Sequence, residues 1–422
     1  MNILIFEDPK VFQLSPITLT RPAYLVTCGA CRLLDQLQRS GNLLTTVVRP
    51  ELQALVAADS PELADLPAWR RSVEQDHGRV LLVNARVVPS AVVRKQLEEL
   101  WDAGDEGIVR THRTVAAALL PTRELAEYGA LTVEQISRGL DASELPTLHA
   151  DLPLLEYPHD VIRHHLESMG ENLDDLLARC DYHQPIPNVY VPRGLELPTQ
   201  LSVETRGGPI VIEQDVMVGP FCFLEGPLYI SRGTRIREHA SIRALTCIGH
   251  NSKVGGEVYA SIIEPYSNKQ HEGYLGHSYL GSWVNVGAGT CVSDLKNTYG
   301  KINVDFNGQR IATEMQFLGV IVGDHVKMAI NATLFAGKQI GVASMLYGTV
   351  TENVPSFVNY ARSLGQVTVA SVEAIATMQR RMFARRKIPQ RSCDVALLEA
   401  IFDATATQRS GMADQVAPLR FG

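Results

Sequence analysis

The densest group of chemically capable side chains in the 422-residue chain is a single stretch, Ser267-Asn268-Lys269-Gln270-His271-Glu272-Gly273-Tyr274-Leu275-Gly276-His277-Ser278-Tyr279-Leu280-Gly281-Ser282-Trp283-Val284-Asn285-Val286-Gly287-Ala288-Gly289-Thr290. Histidine titrates near neutrality, so it can take a proton from an attacking amine at physiological pH. A Gly-Ala-Gly turn allows close backbone approach and can offer N–H groups to an oxyanion. Together these groups suit acyl transfer from a thioester to an amine, with no protein nucleophile if the amine attacks directly. The same residues have plainer readings. His271 reads as a surface histidine on an irregular loop, His277, Tyr279 and Trp283 as outward decoration, and Gly287 and Gly289 as turn glycines.

The sequence around this stretch shows what must position it. Ile212, Val218, Leu224, Ile230, Ile236, Ile242, Ile248 and Val254 recur every six residues, and Val322, Met328, Leu334, Ile340 and Leu346 repeat the period. Six matches neither the 3.6-residue turn of a helix nor the two-residue alternation of a strand; it is the repeat of a parallel β-helix. Each hexad supplies a short strand and a turn, and three hexads close a triangular coil whose inward aliphatics stack on the coil below. The register slips between residues 259 and 321. There the polar, Asn/Gly-rich segment from Cys291 to Gly319 cannot fill a coil, which predicts a projecting loop insertion.

Upstream, residues 1–184 alternate short apolar runs with helical stretches, which predicts β-α units around a mainly parallel sheet. Pro185, Pro187, Pro192, Pro198 and Pro209 mark a Pro-rich linker over 185–209, ahead of a β-helix over 210–360. Residues 361–422 read as a helical extension, two helices separated by Pro389, carrying Arg380, Arg381, Arg385, Arg386, Lys387 and Arg391. That basic cluster reads as a solvated helix face or as a clamp on CoA or nucleotide phosphates.

Tyr274-Leu275-Gly276 followed by Val284-Asn285-Val286-Gly287-Ala288-Gly289-Thr290, with a histidine three residues before the tyrosine, resembles the acetyltransferase half of the bifunctional N-acetylglucosamine-1-phosphate uridylyltransferase/glucosamine-1-phosphate N-acetyltransferase family. The close match covers roughly residues 255 to 300. It implies a left-handed β-helix that trimerises, with acetyl-CoA as co-substrate and a sugar phosphate or nucleotide sugar as small-molecule partner. By the resemblance His271 is the general base and Glu257 the acid that orients it. Tyr274, Asn285, Arg243 and Lys301 fall on or near acceptor contacts, Ala288 on a backbone contact to acetyl-CoA, and Arg362 near an arginine that meets the CoA tail. Tyr259 stands where the family has a phosphate-binding lysine, and Arg243 aligns only across a gap, so the acyl acceptor stays open between phosphorylated, nucleotide-linked and unphosphorylated amino sugars.

The N-terminal half resembles a divergent sugar nucleotidyltransferase. Its glycine-rich loop after the first strand and its Gly-Asp pair are both absent, replaced by Glu7-Asp8-Pro9-Lys10 and Asn84-Ala85-Arg86. Leu19-Thr20-Arg21-Pro22 and Glu156-Tyr157-Pro158-His159-Asp160 remain, which makes Arg21 a candidate phosphate contact and Asp8 and Asp160 candidate magnesium ligands. Helix capping or surface charge explains each equally well. The reading is therefore an acetyl-CoA-dependent acyltransferase fused to a nucleotidyltransferase-like domain. Its alternatives are a bifunctional enzyme that also transfers nucleotidyl groups, a non-catalytic scaffold that binds nucleotide sugars, and a zinc-dependent β-helix drawing on His239, His250, His271, His277 and His325.

Composition narrows the classes. Thirty-nine basic against 46 acidic residues give a net charge of −7, without the positive field that nonspecific nucleic-acid binding needs. The start Met1-Asn2-Ile3-Leu4-Ile5-Phe6-Glu7-Asp8 lacks a signal peptide's basic flank and apolar length, and no apolar run reaches about 18 residues, so no membrane association and a cytoplasmic location are expected. Seven scattered cysteines fit a reducing compartment, with Cys28 and Cys31 read as helix-start residues.

Overall fold

The computed structural model describes residues 1–38, 41–75, 78–126 and 131–410, so the last dozen residues of the expected C-terminal extension lie outside the described part. The chain divides into two compact units, one of residues 1–157 with 391–397 and one of residues 158–390 with the remainder.

The first unit is built on β1 (Asn2–Phe6), β2 (Leu43–Val47), β3 (Arg79–Asn84), β4 (Gly107–Thr111) and β5 (Thr114–Pro121), in the order β2-β1-β3-β5-β4. β1 runs parallel to β2 and β3, while β5 is antiparallel to both β3 and β4. β1 and β3 read as unbroken apolar runs because both faces are covered; Ile3, Leu4, Ile5 and Val80 to Val83 are fully buried. The crossover helix Ala91–Ala103 starts where Ser90 accepts the Val93 N–H at 3.1 Å and stops at Gly104, whose φ of 77° ends it without a Cβ penalty.

The second unit is a left-handed parallel β-helix of about ten turns. Met217, Arg235 and Lys253 pair in sequence at 18-residue intervals, three hexads per coil as the period requires. Every inward residue of both hexad runs is buried except the half-buried Val218. Burying each such aliphatic contributes about 1.5–3 kcal/mol, so the stacked column is the main stabiliser of the unit. At the coil corners a recurring column adopts positive φ: Asp215, Asn251, Tyr266, Trp283, His325, Ala343 and Phe357.

Two boundaries differ from the sequence reading. The segment expected as a Pro-rich linker already forms coil: Val189–Val191 pairs with Ile210–Ile212, and Leu201–Glu204 pairs with Cys222–Glu225. Pro192, Pro198 and Pro209 lie between these strands, and Pro185 lies at the irregular register of strand His183–Ile186, positions that need no ladder donor, while Val189 and Val191 fill the core. Helix Pro158–Leu177 belongs to the second unit, upstream of the expected break at 184. Buried His165 on this helix bonds the Leu245 carbonyl at 2.9 Å, and burial lowers its pKa to about 4. The insertion does project: Asn285 pairs with Lys327, and the intervening chain carries an antiparallel hairpin of Asn303–Phe306 with Gln309–Ala312. Helices Val372–Ala384 and Ser392–Ala404 match the expected tail.

Candidate functional site

One face of the β-helix stacks Leu201–Glu204, Cys222–Glu225, Ser241–Ile242, Glu257–Tyr259 and Tyr274–Gly276 as parallel rungs, with Ser241 opposite Glu257 and Glu257 opposite Tyr274. Strand alternation points Glu225, Glu257, Tyr259 and Tyr274 away from the core. Arg243 joins them: its Nε lies 3.2 Å from Glu225, its Nη1 3.8 Å from Glu257, and its guanidinium sits 5.1 Å over the Tyr259 ring. Tyr259 is therefore an aromatic platform under Arg243, and Glu225 and Glu257 both face that guanidinium.

His271 is exposed on the turn between this face and the preceding one, and its imidazole has no hydrogen-bond partner among the described residues. The backbone of its turn nevertheless abuts the strand that carries Glu257. The Glu257 N–H donates to the Gly273 carbonyl at 3.2 Å, and a Cβ on Gly256 would come within 2.6 Å of the His271 carbonyl. The turn is held from inside the coil. Lys269 pairs in register with Val254, an inward core position, and its ammonium donates to the carbonyls of Gly255 at 2.9 Å, His271 at 3.0 Å and Gly273 at 2.8 Å. Burial lowers its pKa to about 8. A lysine in place of a core aliphatic breaks the hexad pattern, and that break was the sequence signal available for it.

Sequence reasoning also passed over Asp294 and set His277 aside. His277, expected as outward decoration, is only 8% exposed, and Tyr279 is fully buried with its hydroxyl 2.8 Å from Glu264. One oxygen of Asp294, Oδ2, accepts from Tyr274 Oη at 2.7 Å and from His277 Nδ1 at 2.8 Å. The carboxylate has no proton to give, so both neighbours must donate. Burial pushes Asp294 up, but the His277 and Tyr274 hydrogen bonds outweigh it and leave its pKa below the usual value; burial, then Asp294, push the Tyr274 phenol far up. The His277 ring stacks on Phe317 at 5.2 Å and meets the edge of Tyr259 at 5.1 Å. Gly276 makes room for the group, since a Cβ there would lie 2.2 Å from both Asp294 Oδ2 and Tyr274 Oη.

The remaining expected residues lie elsewhere on the unit. Asn285 is exposed on the adjacent face, in register with Asn268 and Lys327. Ala288 is half-buried on its turn; its carbonyl accepts from Asn331, and its N–H has no acceptor among the described residues, which suits a backbone contact. Lys301 pairs with Glu314 at the base of the insertion hairpin. Arg362 is exposed, 2.8 Å from Glu352. Within the basic tail, Arg386 donates to Asn268 at 3.1 Å. The other histidines are dispersed, His239 stacked on Phe221 and His250 edge-on to Tyr266, and no group of three or more His, Cys, Asp or Glu among the described residues of one chain could hold a metal.

In the first unit the carboxyl ends of β1, β2 and β3, where such sheets bind ligands, carry two buried ion pairs. Asp8 is clamped by Arg86, Nε to Oδ1 at 2.8 Å and Nη2 to Oδ2 at 2.6 Å, and accepts from Asn84 at 2.9 Å. Glu7 accepts the backbone N–H groups of Ala23 and Arg49 at 3.0 and 3.1 Å, with Arg49 Nε 3.4 Å away. Asp160, in the second unit, bonds Arg163 at 2.8 Å. Both candidate magnesium carboxylates already face guanidinium groups, so they do not fit a metal site. Arg21 is half-buried on the segment after the first 3-10 turn and makes interactions of its own.

Residues 3–180 match the Sugar nucleotidyl transferase family. That match ends near the boundary expected from sequence and runs past the structural division at Tyr157, taking in the helix that belongs to the second unit. The chain is 33% identical over 142 residues to a bifunctional sugar-1-phosphate nucleotidylyltransferase/acetyltransferase from Sulfurisphaera tokodaii, covering 33% of this chain and 35% of the relative. It is 34% identical over 104 residues to the bifunctional protein GlmU of Methanocaldococcus jannaschii, covering 24% and 25%. It thus spans about a third or less of the length of these relatives. Among solved structures, the UDP-N-acetylglucosamine acyltransferase of Francisella novicida is 13% identical, with 55% of this chain and all of that chain covered at a TM-score of 0.22. No described helix is long and apolar enough to cross a membrane.

Proposed function

We propose that the β-helix unit transfers an acetyl group from acetyl-CoA to the amine of an amino sugar, phosphorylated or nucleotide-linked, and that the first unit binds a sugar nucleotide. The observation that supports this reading is that Glu257 lies opposite Tyr274 on one face, while the turn that carries His271 leads into that face and is held by Lys269. His271 takes a proton from the attacking amine, and Glu257 orients the imidazole as substrate closes the gap between them. The amine nitrogen forms a bond to the thioester carbonyl carbon, and the oxygen takes negative charge. The Ala288 N–H is a donor for that charge. Collapse breaks the carbon–sulfur bond, and the proton held by His271 goes to the departing CoA thiolate, which leaves N-acetylated sugar and free CoA.

The test is thiol release from acetyl-CoA with a panel of amino sugars, their 1-phosphates and nucleotide conjugates. Turnover by the full chain and a loss of roughly 100- to 10,000-fold in His271→Ala is expected. Undiminished turnover in that variant refutes His271 as the base. A second reading, in which the first unit also makes the nucleotide sugar, is favoured by the family match over residues 3–180. The clamped Asp8 argues for weak or no nucleotidyl transfer, and pyrophosphate release from nucleoside triphosphate and sugar 1-phosphate with magnesium decides between them.

A further inference from the structure

We propose that His277 is a positioning residue that acts through Asp294 to set the hydroxyl of Tyr274, making Tyr274 Oη an obligate hydrogen-bond acceptor toward the acyl acceptor. The proposal rests on the acyl-transfer reading above and deepens it. The Tyr274 proton is committed to Asp294 Oδ2 at 2.7 Å, so the lone pairs left on Oη can only accept. A subsite of this kind selects a donor on the substrate, an ammonium or a hydroxyl, and turns away a phosphate oxygen. The surroundings agree: Glu257 lies opposite Tyr274, and Arg243 is already held by Glu225 and Glu257. The acceptor thus presents its amino or hydroxyl end to Tyr274, with any phosphate held elsewhere.

Asp294 alone could not hold this arrangement, because a carboxylate can turn about its χ2 angle. The His277 Nδ1–H at 2.8 Å on the same oxygen fixes it, and the stack on Phe317 and the edge contact with Tyr259 fix the imidazole. His277 Nε2 has no hydrogen-bond partner among the described residues, so placing a proton on Nδ1 costs no other bond. The space for the whole group exists because Gly276 has no side chain.

Two substitutions separate positioning from simple packing. Residue 277 has a φ of 43°, which asparagine and glycine both tolerate. Asparagine keeps an N–H where Nδ1 stood, and glycine does not. In the full chain, His277→Asn should keep the KM for the amino-sugar acceptor within about threefold, whereas His277→Gly should raise it roughly tenfold or more, with the KM for acetyl-CoA unchanged in both, because the lost bond is a charge-assisted one. Equal acceptor KM values in the two variants overturn the proposal while leaving acyl transfer standing. If the wild-type chain releases no CoA with any acceptor, the acyl-transfer reading fails instead, and the positioning claim is then decided by ¹⁵N spectra of histidine-labelled protein. A His277 ring protonated at Nδ1, and released from that state by Asp294→Asn, supports it; an Nε2-protonated tautomer overturns it.

Discussion

Lys269 gives the sharpest quantitative test of how the β-helix presents its site. Its ammonium sits where the coil otherwise carries an aliphatic, 2% exposed, and its pKa falls from 10.5 to about 8 because burial disfavours the charge despite three carbonyl acceptors. The folded chain therefore releases this proton at lower pH than the unfolded chain, so between pH 8 and 10.5 the unfolded state binds more protons and stability rises with pH. The full contribution is present above 10.5 and is lost as pH falls through 8. At 1.36 kcal/mol per pKa unit, the gap makes the wild-type chain gain roughly 2–3 kcal/mol between pH 7 and pH 10 relative to a variant that lacks the amine.

Lys269→Met is the appropriate comparison, because it keeps most of the stem's volume and cancels every other titrating group, including Lys327, lowered to about 7 by burial. Denaturant unfolding of both chains at pH 7, 8, 9 and 10 reads the difference. Replacing a buried charge with an apolar side chain is often neutral or stabilising, so Met is expected to fold. It removes the ammonium from the Gly255 and His271 carbonyls and leaves the Gly273 carbonyl with only the Glu257 N–H, however, and turnover should fall through kcat as the base loses its placement. A stability difference constant within about 0.5 kcal/mol across that range would refute the desolvated-ammonium argument, since linkage then leaves no room for a displaced titration.

Other consequences follow from single contacts. Gly276→Ala should cost about 1–3 kcal/mol in thermal or denaturant unfolding, because its Cβ collides with Asp294 and Tyr274, and should return Tyr274 toward ordinary phenol titration by absorbance. Arg86→Met strands the buried Asp8 carboxylate with only Asn84, so the first unit should lose about 3–5 kcal/mol, read from its own unfolding transition. We also expect three copies per particle in solution, which multi-angle light scattering checks. A stable monomer at micromolar concentration would refute that expectation.

What the sequence made legible was what repetition enforces. A hexad run reads as a coil because each inward side chain must meet the one 18 residues on; the observed register keeps that count from Met217 to Arg235 to Lys253 and again from Lys327 to Met345, and it shortens where Val254 meets Lys269 and Glu257 meets Tyr274. Short motifs were legible as local structure too: Tyr274–Gly276 and Asn285–Val286 form rungs, and Ala288 and Gly289 form the turn their sequence suggests. The prolines of 185–209 misled because a coil corner and a linker ask the same thing of a backbone, freedom from ladder donors, and only the buried Val189 and Val191 tell them apart. Asp294 was hidden for a different reason. It belongs to Tyr274 and His277 only after the chain has gone once round the coil, a contact across 17 to 20 residues that no local pattern encodes. Lys269 was visible as a broken repeat, but a repeat broken by lysine reads as a register slip until the three carbonyls that receive its ammonium are in view. In this chain the periodic residues build the frame, and the departures from period, Lys269, Gly276 and Asp294, are where the frame is turned to chemistry.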